Sequence, residues 1–177
     1  MQISGPITVV NDGFPKSALV ETSWGMRIPA VIGAKHVELS NYDMFQPMHI
    51  PSESADLVTM FIGLHHCPPD KLPAFIASIH RVLRVGGKFV LRDHDADERL
   101  LSMAFLAHST YNAGLDIPYG GELAEIRNLN PLSYWKDLLA KAGLKFVGRE
   151  WKQTGDPTGN TLMVFEKVAT SEETDAA

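Results

Sequence analysis

Cysteine is nearly absent from this sequence: Cys67 stands alone among 177 residues. No internal disulfide can form, which fits a reducing compartment. A basic excess is also missing. Sixteen Lys and Arg oppose 21 Asp and Glu, giving a net charge of −5, and no cationic cluster stands out. A duplex-binding face needs several phosphate-neutralising cations, so a duplex nucleic-acid partner is not expected. Long hydrophobic runs are missing too. The longest, residues 57–64, falls far short of the ~20 apolar residues of a membrane-spanning helix. The start, MQISGPITVV, has neither the basic nor the long apolar region of a secretion signal. These absences lead to the expectation of a cytoplasmic protein without a membrane span. Finally, no G-x-G-x-x-G opens a first helix, which argues against a nicotinamide oxidoreductase.

What is present is ordinary globular composition, 45% hydrophobic and 21% charged. The length favours one domain, placed at residues 1–168. The small, polar, acidic remainder, 169–177, is expected to be disordered.

The most informative stretch is ADLVTMFIGLHHCPPDKLPAFIASIHRVLRVGGKFVLRDHD, residues 55–95. Residues 56–64 form a short apolar run whose length suits a strand buried on both faces. From residue 70 to 83, Leu72, Phe75, Ile76, Ile79, Val82 and Leu83 recur at helical spacing. Gly86 and Gly87 are expected to close that helix. Residues 88–92 form a second strand ending in Asp93-His94-Asp95. Strand, helix and strand at this spacing predict a right-handed crossover in a parallel sheet. Polar residues collect where both strands end, His65 and His66 after the first, Asp93 to Asp95 after the second. Ligands of open parallel sheets bind there, although such residues also simply mark loops.

Elsewhere, residues 7–10 read as a β-branched strand. Pro15 could start a helix with an irregular apolar face including Ala18, Leu19, Val20 and Trp24, stopped by Pro29. Residues 36–39 read as another strand. A helix over 97–111 should bury Leu100, Leu101, Met103, Ala104, Leu106 and Ala107. Residues 112–130 read as a long loop, of the kind often functional. Asn130 and Pro131 should cap and begin a helix that buries Leu132, Trp135, Leu138 and Leu139 and ends at Gly143. Residues 144–153 and 160–167 form an antiparallel hairpin.

Asp56-Leu57-Val58, Leu64-His65-His66, Val82-Leu83-Arg84-Val85-Gly86-Gly87 and Arg92-Asp93-His94 together resemble the second half of class I S-adenosylmethionine-dependent methyltransferases. The resemblance covers roughly residues 7–167. It implies an α/β, Rossmann-like, doubly wound and mostly parallel sheet with an antiparallel C-terminal hairpin. It also implies methyl transfer from S-adenosylmethionine, with a small-molecule acceptor expected. One part of the pattern is missing. In the family a first, central strand runs into a glycine-rich loop, whereas Asn11-Asp12-Gly13-Phe14-Pro15 carries one glycine and a proline. Residues 7–10 therefore match the family's second strand and residues 37–43 its third, making the domain N-terminally incomplete. Removing the central strand leaves two open sheet edges. Either the two parts pair directly, or another segment, a partner chain or a second copy fills the gap.

The resemblance also assigns roles. Asp12 is placed at the ribose hydroxyls, Asp43 at the adenine amino group and Met44 against the base. Phe61, Ile62 and Gly63 would line the methionine arm. His65, His66 and His94 are the catalytic candidates, because a neutral imidazole can take a proton from a nucleophile. Each has a plainer reading as a turn, cap or core residue. Tyr111, Tyr119 and Trp135 could line a substrate pocket or belong to the core. The spacing of His65, His66, Cys67, His94 and Asp95 does not fit a structural zinc site, so no metal is expected. The competing function is a non-catalytic, methyltransferase-like module that pairs through its open edge with another chain.

Overall fold

A computed structural model describes residues 5–11, 19–21, 27–29, 34–39 and 41–169. The main sheet contains β5 (Ala55–Phe61), β6 (Leu83–Asp93), β7 (Leu144–Lys152) and β8 (Thr161–Lys167), in the order β5-β6-β8-β7. β5 and β6 run parallel, and β8 lies antiparallel between β6 and β7. Nearer the N-terminus, β1 (Thr8–Asn11) pairs in parallel with β4 (Lys35–Glu38). Four helices complete the described residues: α1 (Leu72–Val82), α2 (Leu101–Gly114), α3 (Tyr119–Ala124) and α4 (Leu132–Lys141). This is a mixed α/β fold of Rossmann-like type with the expected antiparallel hairpin at its C-terminal end.

Side-chain period explains the core. On α1 the expected stripe is buried: Leu72, Phe75, Ile76, Ile79 and Val82. β6 alternates, and Phe89, Leu91 and Asp93 share its fully buried face. Met163 and Phe165 of β8 do the same, and α4 adds Leu132, Trp135 and Leu139 to the one cluster. Each such apolar side chain contributes about 1.5–3 kcal/mol on leaving water. The same alternation carries the buried face of β6 past the core to Asp93, whose carboxylate therefore meets the next loop from inside.

Several expectations need correction. The helix expected from Pro15 to Pro29 is not what forms: β2 (Leu19–Glu21) and β3 (Arg27–Pro29) make an antiparallel ribbon. The apolar residues there had no consistent helical period. Gly86 and Gly87 do not cap α1. They lie in a bulge at the start of β6, where the register jumps from Ala55–Leu83 to Leu57–Lys88. A Cβ on Gly87 would stand 2.8 Å from the Arg84 carbonyl. β5 is not buried on both faces, since Asp56, Thr59 and Phe61 are exposed and, among the described residues, only β6 pairs with it. α2 buries Ala104, His108 and Asn112, whereas Leu101, Met103 and Leu106 point outward. The expected loop 112–130 contains α3. Asn130 does not cap α4: the Leu132 N–H donates to Asp95 Oδ1 at 3.2 Å. Asp12 and residues 170–177 lie outside the described residues.

Candidate functional site

No hydrogen-bonded ladder joins β1 to β5 among the described residues. Between them opens a cleft of about 1910 Å³, walled by β1, β5, α2 and the loops at 124–126 and 153–160. Among the described residues the two halves do not pair directly across the gap, and β5 forms one wall of the cleft. At the end of β5, Ile62 has a left-handed φ of 51° and donates its N–H to the Arg92 carbonyl at 2.7 Å. That contact turns the chain at the strand end, with Phe61 and Ile62 on the cleft wall and Phe61 55% exposed. The Tyr42 hydroxyl donates to the Gly63 carbonyl at 2.5 Å. Asp43 and Met44 are exposed on the loop after β4 and do not line the cleft. Asp43 Oδ1 accepts from Lys71 Nζ at 2.7 Å.

A cluster of four histidines forms the floor beyond β5. His65 and His66 come from a 3-10 turn, Leu64–His66, that follows β5. His94 follows β6, and His108 comes from α2. The His65 ring centroid lies 4.2 Å from His66, 5.2 Å from His94 and 4.9 Å from His108. Asp93 Oδ1 accepts from both His65 Nδ1, at 2.5 Å, and the His94 N–H, at 2.8 Å. His66 Nδ1 donates to the Ile126 carbonyl at 2.8 Å. His65 is fully buried, while His66, His94 and His108 line the cleft.

His94 is held from behind by a directional chain. Asp156 Oδ1 accepts from the Thr158 hydroxyl at 2.6 Å, so Thr158 Oγ1 accepts from His94 Nδ1 at 2.8 Å. In its neutral form His94 then carries its lone pair on Nε2. Burial, reinforced by the neighbouring His65, lowers the pKa of His66 and of His94. Burial followed by the other three rings takes His108 down to about 3. Burial also works against the Asp156 carboxylate, but hydrogen bonds from Thr158 and Asn160 outweigh it and hold Asp156 below the usual range. The Cys67 thiol is pushed up to about 11 by burial and then by Asp70, so it is no nucleophile. His66, His94 and His108 thus favour the neutral imidazole, suited to accepting protons or donating lone pairs.

An acidic lattice supports this cluster. Arg127 Nη2 stands 2.7 Å from Glu122 and 2.5 Å from Glu125, and Asn112 Nδ2 donates to both carboxylates. Arg127, with Ser109 and Asn112 hydrogen bonds, takes Glu122 down to about 2. Sequence reasoning missed His108, Thr158, Asp156 and this lattice. The signal for His108 was its place four residues after Ala104 and four before Asn112. Of the aromatic candidates, Tyr111 lines the cleft, Trp135 is core and Tyr119 is 76% exposed.

Residues 25–91 match the family model described as a methyltransferase domain. Among solved structures, a 1,6-didemethyltoxoflavin-N1-methyltransferase from Burkholderia thailandensis, with bound 1,6-didemethyltoxoflavin and S-adenosylhomocysteine, aligns with a TM-score of 0.54. It shares 16% identity over 77% of this chain and 52% of its own. This chain has the fold of the class I S-adenosylmethionine-dependent methyltransferases. A methyltransferase from Methanosarcina mazei aligns with a TM-score of 0.55 at 14% identity, over 77% of this chain and 68% of its own. A structure of the Haloferax volcanii Trm112 methyltransferase activator in complex with a methyltransferase aligns at 0.53 and 13% identity, over 79% and 64%. The chain thus spans about half of the first of these methyltransferase-fold proteins. No curated protein matches it.

Proposed function

We propose that this chain binds S-adenosylmethionine and directs transfer of its methyl group to a small-molecule acceptor. One observation carries the reading: β5 and β6 end side by side on one cleft, whose lining includes Phe61, Ile62, His66 and His94. The cofactor fits this wall. Phe61 offers an exposed apolar face, and the volume exceeds the roughly 300–1,000 Å³ of ordinary ligand pockets. Phe61, Ile62 and Gly63 would hold the methionine arm. Asp43 and Met44 stand outside the cleft lining, so they would meet the adenine only with the loop after β4 turned inward, and Asp12 would take the ribose from its place after β1. With Lys71 on Oδ1, Asp43 would receive the adenine amino group on Oδ2.

Held by Phe61, Ile62 and Gly63, the cofactor would supply an electrophilic methyl group on a sulfonium centre, with the sulfur as the leaving group. The chain's own share is positioning and proton handling. His94 Nε2 would take the proton lost by the acceptor, with Nδ1–H held on Thr158 and Asp156 so that the ring keeps its tautomer. His66 would form the adjoining wall. His65, behind it, would act as a positioning residue through its bond to Asp93. Support for a small acceptor comes from the enclosed floor and from the toxoflavin precursor held by the Burkholderia neighbour.

Calorimetric titration with S-adenosylhomocysteine tests the reading. Saturable binding with a Kd on the order of micromolar, about −8 kcal/mol, is the expected outcome. A folded chain that gives no binding would overturn it. The open β5 edge supports a second reading, a module completed by another segment or chain, of which no methyl transfer would be asked.

A further inference from the structure

The floor of the cleft has a property that proton transfer does not use. One ring nitrogen from each of His65, His66 and His108 lies within 4.8 Å of the other two. The partners of the Nδ1 atoms indicate which nitrogen each neutral ring has to offer. Asp93 is an acceptor only, so His65 Nδ1 donates to it. A carbonyl is an acceptor only, so His66 Nδ1 donates to Ile126. The Glu125 carboxylate faces His108 Nδ1 at 3.8 Å and favours the proton there. In neutral rings all three lone pairs then sit on Nε2. The Nε2 atoms of His65 and His108 are buried and have no hydrogen-bond partner. Buried polar atoms are rarely left so.

A cation held among these three rings would satisfy both of these Nε2 atoms. Nitrogens bound to one tetrahedral ion at about 2.1 Å stand roughly 3.4 Å apart, so small ring rotations would close the set. We propose that His65, His66 and His108 form a three-nitrogen binding site for a divalent transition-metal ion, with zinc as the best fit. Neutral imidazoles select zinc, cobalt, nickel or copper over magnesium and calcium. The outer partners are those a metal-binding histidine ordinarily has, a carboxylate on His65 and a backbone carbonyl on His66. His66 and His108 line the cleft, whereas His65 forms the back of the site. A fourth coordination position would therefore open to the cleft, where a water or an acceptor's oxygen, nitrogen or sulfur would enter.

The three ligands come from two elements 42 residues apart (108 − 66), which is why spacing alone pointed away from a metal. The experiment uses the full chain without an affinity tag, stripped with a chelator and titrated with zinc and with cobalt. One equivalent is retained through desalting, and the cobalt form shows the intense visible bands of a four-coordinate ion. His66→Ala and His108→Ala each weaken zinc binding at least about 100-fold, while His49→Ala, at an exposed loop position, leaves it unchanged. Asp93→Asn weakens it by about 10- to 100-fold through His65. A folded wild-type chain that retains no zinc overturns the proposal. So does stoichiometric uptake that survives in the His66→Ala/His108→Ala double variant. Neither readout depends on cofactor binding or on methyl transfer.

Discussion

The hydroxyl of Tyr42 donates to the carbonyl of Gly63 at 2.5 Å, joining the loop after β4 to the end of β5. The bond spans the region where, among the described residues, no strand links β1 and β4 to the main sheet. The Tyr42 ring also meets Phe75 edge-on, with centroids 5.4 Å apart, which anchors the loop to α1. Tyr42→Phe keeps the ring and removes the donor. A neutral hydrogen bond contributes about 0.5–1.5 kcal/mol net, so urea unfolding should register a loss near 1 kcal/mol. Affinity for S-adenosylhomocysteine should fall as well, because Gly63 lies beside its proposed seat. Unchanged values in both measurements would mean that the two loops are held apart from this contact.

The β5 edge invites association. Its backbone toward β1 has no partner strand among the described residues, and Thr59 and Phe61 expose their side chains. Such an edge is a template for another strand. Sedimentation of the wild-type chain should show a mass that rises with concentration. Thr59→Pro interferes with strand pairing, and its sedimentation should stay closer to a single chain. A wild-type mass that does not vary with concentration would remove self-pairing and leave the edge to a different partner.

The parts of this fold that were legible in the sequence are those where one period dominates. The α1 stripe is such a case, because Leu72, Phe75, Ile76, Ile79 and Val82 all face one core. The β7–β8 hairpin was legible because a short turn leaves no other pairing. α2 was not, because its buried positions are Ala104, His108 and Asn112 while its larger apolar residues face outward. Here a polar stripe is buried against other polar groups, so reading hydrophobicity alone selects the opposite face. The histidine floor was half legible. His65, His66 and His94 follow from the rule that ligands sit at strand ends, whereas His108 reaches the same point from a helix. No pattern in the chain announces a meeting of elements so far apart.

Gly143 offers a test of the packing behind the site. Its φ is +81°, a conformation natural to glycine at the end of a helix. A Cβ there would stand 2.8 Å from His80 Nε2. Gly143→Ala combines a left-handed alanine, costing about 1–2 kcal/mol, with displacement of the His80 ring. Thermal unfolding should show a loss at or above that range. A loss below 0.5 kcal/mol, on the order of an ordinary surface change, would mean that the α4 terminus relaxes freely.

The acidic lattice makes a pH-dependent contribution whose sign is fixed. Arg127 first, then Ser109 and Asn112, hold the Glu122 carboxyl at about 2, below its usual 4.5. A carboxyl depressed by folding favours the folded state when ionised, so its contribution is complete above about 4.5. It fades as the pH falls and is gone below about 2. Comparing wild type with Glu122→Gln isolates this group from the histidines, which titrate in both proteins. The wild type should have the higher melting temperature at neutral pH, and the gap should narrow between pH 4.5 and pH 2. Added salt should narrow it at every pH, because Glu122 is near the surface and its charge is screened there. A gap that stays constant across the acid range would show that Glu122 acts through its shape and neutral hydrogen bonds, not through its charge.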